Sequence, residues 1–210
     1  MPIAEVRQAY SARAEDYTNA VGLIEHAAQA DRDALLAWAR GIEGPVLDVG
    51  CGPGQWTSFL HDQGIDIEGV DPVDTFITAA RARYPEARYR TGRAEGLGLP
   101  DGSLGGVLAW FSLIHTDPRH IHGPLAELAR CLRPGGSLAA GFFVGADGEP
   151  FDHAITTAYF WSVEGLTNRL DRAGFTVVDV QVRTDPGTRT QGLIVAERRP
   201  TATPAPARGA

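Results

Sequence analysis

The chain has 210 residues, 43% of them hydrophobic and 21% charged, and a formal net charge of −7. That length suits one α/β domain, and that composition supplies a full-sized core and excludes global disorder. The acidic balance and scattered arginines argue against a nucleic-acid binder, and two cysteines, Cys51 and Cys131, are too few for a disulfide framework or a metal knuckle.

The predicted elements alternate between helix and strand. Residues 30–41 form an amphipathic helix with Leu35, Leu36 and Trp38 inward and Gly41 as its stop. Residues 45–49 are the first strand, where Val46, Leu47 and Val49 make a short apolar run of the kind buried on both faces. Gly50, Cys51, Gly52, Pro53 and Gly54 follow, and a helix carrying Trp56, Phe59 and Leu60 begins behind them. Glycines serve where backbone must turn tightly or let a ligand come close, and a helix start offers unpaired N–H groups and a positive dipole end. This stretch predicts a ligand at the C-terminal edge of the first strand.

Strand two is expected at 65–71 with a helix over 75–83 that ends before Pro85, and strand three at 87–91. Strand four spans 106–110, and the helix 119–132 ends at Arg133-Pro134-Gly135-Gly136 ahead of strand five at 138–144. A late helix at 162–173 closes with Gly174, and the β-rich runs 175–182 and 193–197 suit a hairpin at one sheet edge. The alternation predicts a doubly wound, mostly parallel sheet in one domain, 1–198, followed by a mobile tail, 199–210, without large apolar residues. The chain shows no internal repeat, signal peptide or apolar run able to span a membrane, which places the protein in the cytoplasm without a membrane partner.

The nature of the ligand turns on position 55. A dinucleotide fingerprint reads G-x-G-x-x-G/A. Gly50 and Gly52 fit it, but Gln55 stands at the third position and the third glycine comes one residue early, at Gly54. Asp48 lies two residues before the first glycine, on the strand itself. The run Leu47-Asp48-Val49-Gly50-Cys51-Gly52-Pro53-Gly54 resembles the first motif of class I S-adenosylmethionine-dependent methyltransferases, and the resemblance extends over roughly residues 5–198.

That resemblance implies a Rossmann-like, seven-stranded sheet with a C-terminal antiparallel pair. It further implies that Gly50, Cys51, Gly52 and Gly54, with Trp56 behind them, pack against the methionine part of the cofactor S-adenosyl-L-methionine, and that Asp48 orients its ammonium group. Asp71, followed by Pro72 at the end of strand two, is placed to accept both hydroxyls of a ribose, although the same residue pair is also good helix-capping chemistry. Thr91-Gly92-Arg93-Ala94-Glu95 resembles the segment that borders the adenine. The usual pattern has an acid where Arg93 stands; arginine has no acceptor, so main-chain groups of Arg93 and Ala94, or the Glu95 carboxylate, are the replacements. Ala109 and Trp110 are expected along the cofactor.

Acceptor residues are expected after strand four and in the aromatic-rich insertion near 150–161: Phe111, His115, His153 and Tyr159. His115 and His153 are the candidate catalytic bases, needed only when the acceptor carries a proton that must leave. The segment from Tyr10 to Tyr17 resembles the N-terminal entry of small-molecule members, with Tyr17 closing over the cofactor and Tyr10 packing on the domain. His120 and His122 lack a third ligand, so no metal is expected. The function implied is methyl transfer to an O, N or C nucleophile of a small molecule, releasing S-adenosylhomocysteine, by a monomer or homodimer. The alternatives are a non-methylating reaction such as cyclisation around the same cofactor, or an NAD-dependent oxidoreductase, which Gln55 disfavours.

Overall fold

Apolar runs become the interior strands of a sheet. The structure, a computed structural model, describes residues 10, 11, 13, 18, 22–153 and 155–200, so the Tyr17 expectation and the tail from 201 onward lie outside the described residues. In chain order the elements are α1 (Gln29–Arg40), β1 (Val46–Val49), α2 (Gln55–Asp62), β2 (Ile67–Asp71), α3 (Asp74–Arg83) and β3 (Arg88–Thr91). After these come β4 (Leu104–Trp110), α4 (His122–Cys131), β5 (Leu132–Phe143), a small pair β6 (Pro150–Asp152) and β7 (Thr157–Tyr159), α5 (Val163–Arg172), β8 (Phe175–Arg183) and β9 (Gln191–Arg198).

The main sheet has seven strands in the order β3-β2-β1-β4-β5-β9-β8. The first five are mutually parallel, and β9 runs antiparallel to both β5 and β8. The chain winds outward from β1 to β3, then returns to β4 on the other side of β1. The C-terminal ends of β1 and β4 therefore sit side by side where the winding reverses, the place at which open α/β sheets bind ligands.

Successive residues of the central strands feed opposite faces. Leu47, Val49, Val107, Leu138 and Ala140 join one core cluster with Leu125 and Leu128 of α4. Val46, Leu108 and Ala139 join another with Leu35 of α1 and Trp56 and Leu60 of α2. Burial on both sides is why these strands read as continuous apolar runs.

Three local features differ from the sequence expectation. β5 begins at Leu132, directly after α4, because Pro134-Gly135-Gly136 lie in a bulge: pairing with β4 jumps from Leu104↔Leu132 to Gly106↔Ser137. The aromatic-rich insertion contains an antiparallel strand pair, β6–β7, for which no strands were expected. Arg199, expected in the tail, is held by its N–H to the Gly174 carbonyl at 2.9 Å and by its guanidinium to Asp171 at 2.5 Å. The β8–β9 hairpin forms at the sheet edge, as its sequence suggests. Among the described residues, no helix is long and apolar enough to cross a membrane.

Candidate functional site

The glycine turn is held from below and from the side. Gly50 and Cys51 N–H groups donate to the Val70 carbonyl at 2.7 and 3.1 Å, which folds the end of β1 over β2. Gly50 has φ 76°, and a Cβ on it would lie 2.2 Å from the Ser112 Cβ, so both conformation and space demand glycine. Tyr89 from β3 donates its hydroxyl to the Gly54 carbonyl at 3.1 Å, and the Ser58 N–H donates to the same carbonyl at 2.9 Å as α2 begins.

Two carboxylates anchor this turn. Asp48, in the last turn-facing position of β1, is buried and accepts the Thr57 hydroxyl at 2.7 Å. Asp71, at the end of β2, accepts the Gly52 N–H at 2.9 Å and the Val73 N–H at 2.8 Å. It thus staples the turn to the start of α3. Burial pushes the Asp48 carboxyl up to about 7, opposed by the Thr57 bond and reinforced by the Asp71 charge. Burial pushes Asp71 up to about 6 against the pull of its two backbone donors. The Cys51 thiol between them is driven well above its usual range by burial and then by the two acids, so it is inert.

Beside the turn opens a cavity of about 700 Å³. Its walls include Asp48, Gly50, Cys51, Gly52, Gln55 and Trp56 on the turn side. Trp110, Phe111, Phe143 and His153 form an aromatic side, and Arg13, Asp31, Arg183, Asp185, Thr188 and Gln191 form a polar rim. Arg183 is committed: its guanidinium grips Asp31 at 2.7 and 2.9 Å and Asp185 at 2.8 Å, tying the start of α1 to the end of β8.

The two candidate histidines differ in kind. His115, in a 3₁₀ turn at Leu113–His115, is buried and its ring nitrogens are both engaged. Nδ1 lies 2.9 Å from the Thr157 carbonyl, which only accepts, so Nδ1 carries the proton and Nε2 accepts from the Tyr10 hydroxyl at 2.7 Å. Burial lowers its pKa to about 4. His153 lies on the cavity wall, its Nδ1 out of water and without a hydrogen-bond partner. Burial, with Arg189 adding, lowers its pKa too.

The structure thus brings Asp48, Gly50, Cys51, Gly52, Trp56, Trp110, Phe111 and His153 around one space. Gly54 caps α2 just behind it. Asp71, Pro72, Ala109, His115 and Tyr159 lie off the cavity wall. Arg93, Ala94 and Glu95 also lie apart, with Arg93 and Glu95 paired to each other at 3.6 Å. Tyr10 packs with Val73 and Phe76 and also lines the cavity. Unforeseen members are Phe143, Ile155, Asp31 and the β8–β9 turn residues. Phe143 was legible in principle, since it ends the fifth strand on the ligand-binding edge. The others depend on pairings distant in sequence.

Gln55 Oε1 and Ser112 Oγ are buried without a hydrogen-bond partner, and they flank the glycine turn from α2 and from the β4 exit. With the turn and the buried Asp48 carboxylate, this donor and acceptor set fits a group carrying an ammonium and a carboxylate. Among the described residues, no group of three or more His, Cys, Asp or Glu is arranged to hold a metal ion.

Known proteins resemble this chain in sequence and in fold. The sequence profile of a methyltransferase domain matches residues 46–136. An uncharacterized methyltransferase of Mycobacterium tuberculosis is 32% identical over 126 residues, 53% of this chain and 51% of its own. An O-methyltransferase of Pyrenophora dematioidea is 31% identical over 183 residues, 79% of this chain and 67% of its own. The chain thus spans about half the length of the first curated relatives it matches. Among solved structures, the Burkholderia thailandensis 1,6-didemethyltoxoflavin-N1-methyltransferase, with bound 1,6-didemethyltoxoflavin and S-adenosylhomocysteine, superposes with a TM-score of 0.75 at 24% identity, covering 94% of this chain and 89% of that one. The 4+2 cyclase SpnF superposes with a TM-score of 0.76 at 18% identity, covering 92% and 96%.

Proposed function

We propose, for a chain that belongs to the class I S-adenosylmethionine-dependent methyltransferases, that it transfers a methyl group to a nucleophile on a small molecule. The observation that carries this reading is the glycine turn, fixed between two buried carboxylates and flanked by the orphaned Gln55 and Ser112 oxygens. S-adenosyl-L-methionine, when bound, supplies an electrophilic methyl on a positively charged sulfur.

The chain's own residues then have separable tasks. Asp48 meets the ammonium of the amino-acid end, a contact whose strength requires the ionised carboxylate. Gly50, Cys51 and Gly52 let the backbone approach that end, and Gln55 and Ser112 gain partners from it. Asp71 holds the turn in place through the Gly52 and Val73 N–H groups. Trp56 and Trp110, edge to face at 5.6 Å, fix the floor between cofactor and acceptor. His115 positions Tyr10 through its hydroxyl. Alignment of an acceptor beside the donor is the main catalytic contribution, as an effective-molarity effect. The net negative charge, the scattered arginines and the aromatic cavity favour a small acceptor over a nucleic acid.

Calorimetry with S-adenosylhomocysteine, NAD and NADP, followed by incubation of a metabolite extract with methyl-labelled cofactor, tests the reading. Binding of S-adenosylhomocysteine with transfer of label to a small-molecule product is expected. Binding without label transfer would point to a non-methylating use of the cofactor, and binding of a nicotinamide cofactor alone would overturn the assignment.

A further inference from the structure

The geometry points to an aromatic hydroxyl as the methyl acceptor: a planar ring seated against Trp110, Phe111 and Phe143, its O–H presented to His153. This deepens the methyl-transfer reading above and rests on it.

The aromatic side of the cavity is one connected surface. Trp110 and Phe111 meet edge to face at 5.0 Å, Phe111 and Phe143 are 4.8 Å apart, and Phe143 reaches His153 at 5.9 Å. Gly141 of β5 lies under the first two rings: a Cβ there would come within 2.7 Å of Trp110 and 3.0 Å of Phe111. Phe111 has φ 52°, a left-handed conformation that bulky residues seldom adopt, and its N–H is pinned to the Gly141 carbonyl at 3.2 Å. Strain of this kind collects where a ligand is clamped. The result is a wall whose ring edges and faces suit a flat conjugated partner.

His153 is the polar end of that wall. Its neighbours are the His115 ring at 5.3 Å, Phe143, and Phe151 at 6.2 Å, with Arg189 stacked 4.6 Å from the Phe151 ring on the way to the Asp152 carbonyl. None of them bonds Nδ1. Nδ1 is sealed from the cavity, which leaves Nε2 as the ring nitrogen that an occupant can reach, and with Nε2 bare the neutral ring takes a hydrogen bond from the ligand's O–H. Burial and Arg189 favour its neutral ring over the imidazolium, so a proton it takes up is passed on rather than kept.

Acidity then selects the donor. A phenolic O–H, with a pKa of about 10, can be relieved of its proton by an imidazole as a new bond forms. An aliphatic alcohol is too weak an acid. A carboxylic acid is already ionised at pH 7 and needs no base. In the reaction the hydroxyl proton passes to His153, the oxygen lone pair forms the O–CH₃ bond, and the pair of the breaking C–S bond stays on sulfur, which leaves as the neutral thioether. His153 then returns its proton to water.

The test uses the full chain saturated with S-adenosylhomocysteine for binding and with methyl-labelled S-adenosylmethionine for turnover. Probes are one-, two- and three-ring aromatic hydroxyls beginning with phenol, against benzoate, benzyl alcohol and aniline. Expected are saturable binding by calorimetry and labelled methyl ethers from the hydroxyls, with none from the comparators. His153→Ala and His153→Gln should lower kcat by about 100-fold while KM stays near the wild-type value. Phe111→Gly, which removes the ring and relieves the backbone, should raise KM by about tenfold with kcat largely kept, a loss of binding without loss of chemistry. Thermal unfolding confirms that each variant is folded. If S-adenosylhomocysteine binds but no aromatic hydroxyl does, or if both His153 variants turn over at the wild-type rate, the acceptor assignment is overturned while the methyltransferase reading stands. If S-adenosylhomocysteine itself fails to bind, both fall.

Discussion

At the scale of single residues, Asp48 sets the pH behaviour of the molecule. Its carboxyl, and that of Asp71, hold protons in the fold at about 7 and 6 that the unfolded chain releases near 3.8. Between those values the unfolded state binds fewer protons than the folded one, so stability without ligand falls as pH rises from 3.8 toward 7. Asp48→Asn removes one of these titrations. Scanning calorimetry should show a flatter fall across that window and a higher Tm than wild type above neutrality. The same variant should weaken S-adenosylhomocysteine binding by about tenfold or more, the worth of a hydrogen bond to a charged partner. Wild-type affinity should in turn tighten as pH climbs through 7, since the ammonium selects the carboxylate over the acid. Gly50 offers a sharper steric test. Gly50→Ala puts a methyl 2.2 Å from the Ser112 Cβ at a left-handed φ. A loss of roughly 1–3 kcal/mol is expected, read as a Tm drop, together with lost cofactor affinity. Adding Ser112→Gly should recover part of the stability; no recovery would place the cost in the backbone alone.

At the scale of elements, the rim of the cavity depends on an ion pair between distant parts of the chain. Arg183 at the end of β8 clamps Asp31 in the first turn of α1 through two hydrogen bonds. Arg183→Ala should destabilise the fold by only about 1 kcal/mol, as partly exposed pairs do. It should raise the acceptor KM far more than it changes kcat, measurable by steady-state kinetics once an acceptor is in hand. The elements themselves were legible because the central strands are buried on both faces and bounded by turns, and because Ser162 and Gly174 bracket α5 with capping chemistry. The β5 start was not legible. Pro134-Gly135-Gly136 reads as a turn, and only pairing to Leu104 turns the residues before it into strand. The β6–β7 pair escaped for a related reason: three-residue strands carry too little periodicity to register. At the site, the glycine turn and Asp48 could be found because their spacing is local. His115 and His153 looked alike as letters; their difference is whether a carbonyl and a tyrosine from elsewhere in the chain occupy the ring nitrogens.

At the scale of the whole molecule, the parallel half and the antiparallel hairpin make different contributions. The parallel strands present the glycine turn at the winding reversal between β1 and β4, and the hairpin supplies Arg183, Asp185, Thr188 and Gln191 to the opposite side of the same space. Ligand binding should therefore tighten the domain globally. Saturating S-adenosylhomocysteine at 100 times its Kd should add about 2.7 kcal/mol to unfolding, visible as a single shifted transition. Two separate transitions would mean that the hairpin unfolds independently of the donor half. The late position of that hairpin has a further consequence during synthesis. A ribosome that has delivered residues 46–136 has made the strands and loop matched by the methyltransferase profile, while 183–191 are still to come. Until that last pair of strands clears the exit tunnel and zips onto β5, the nascent chain has its glycine turn with one side of the cavity missing.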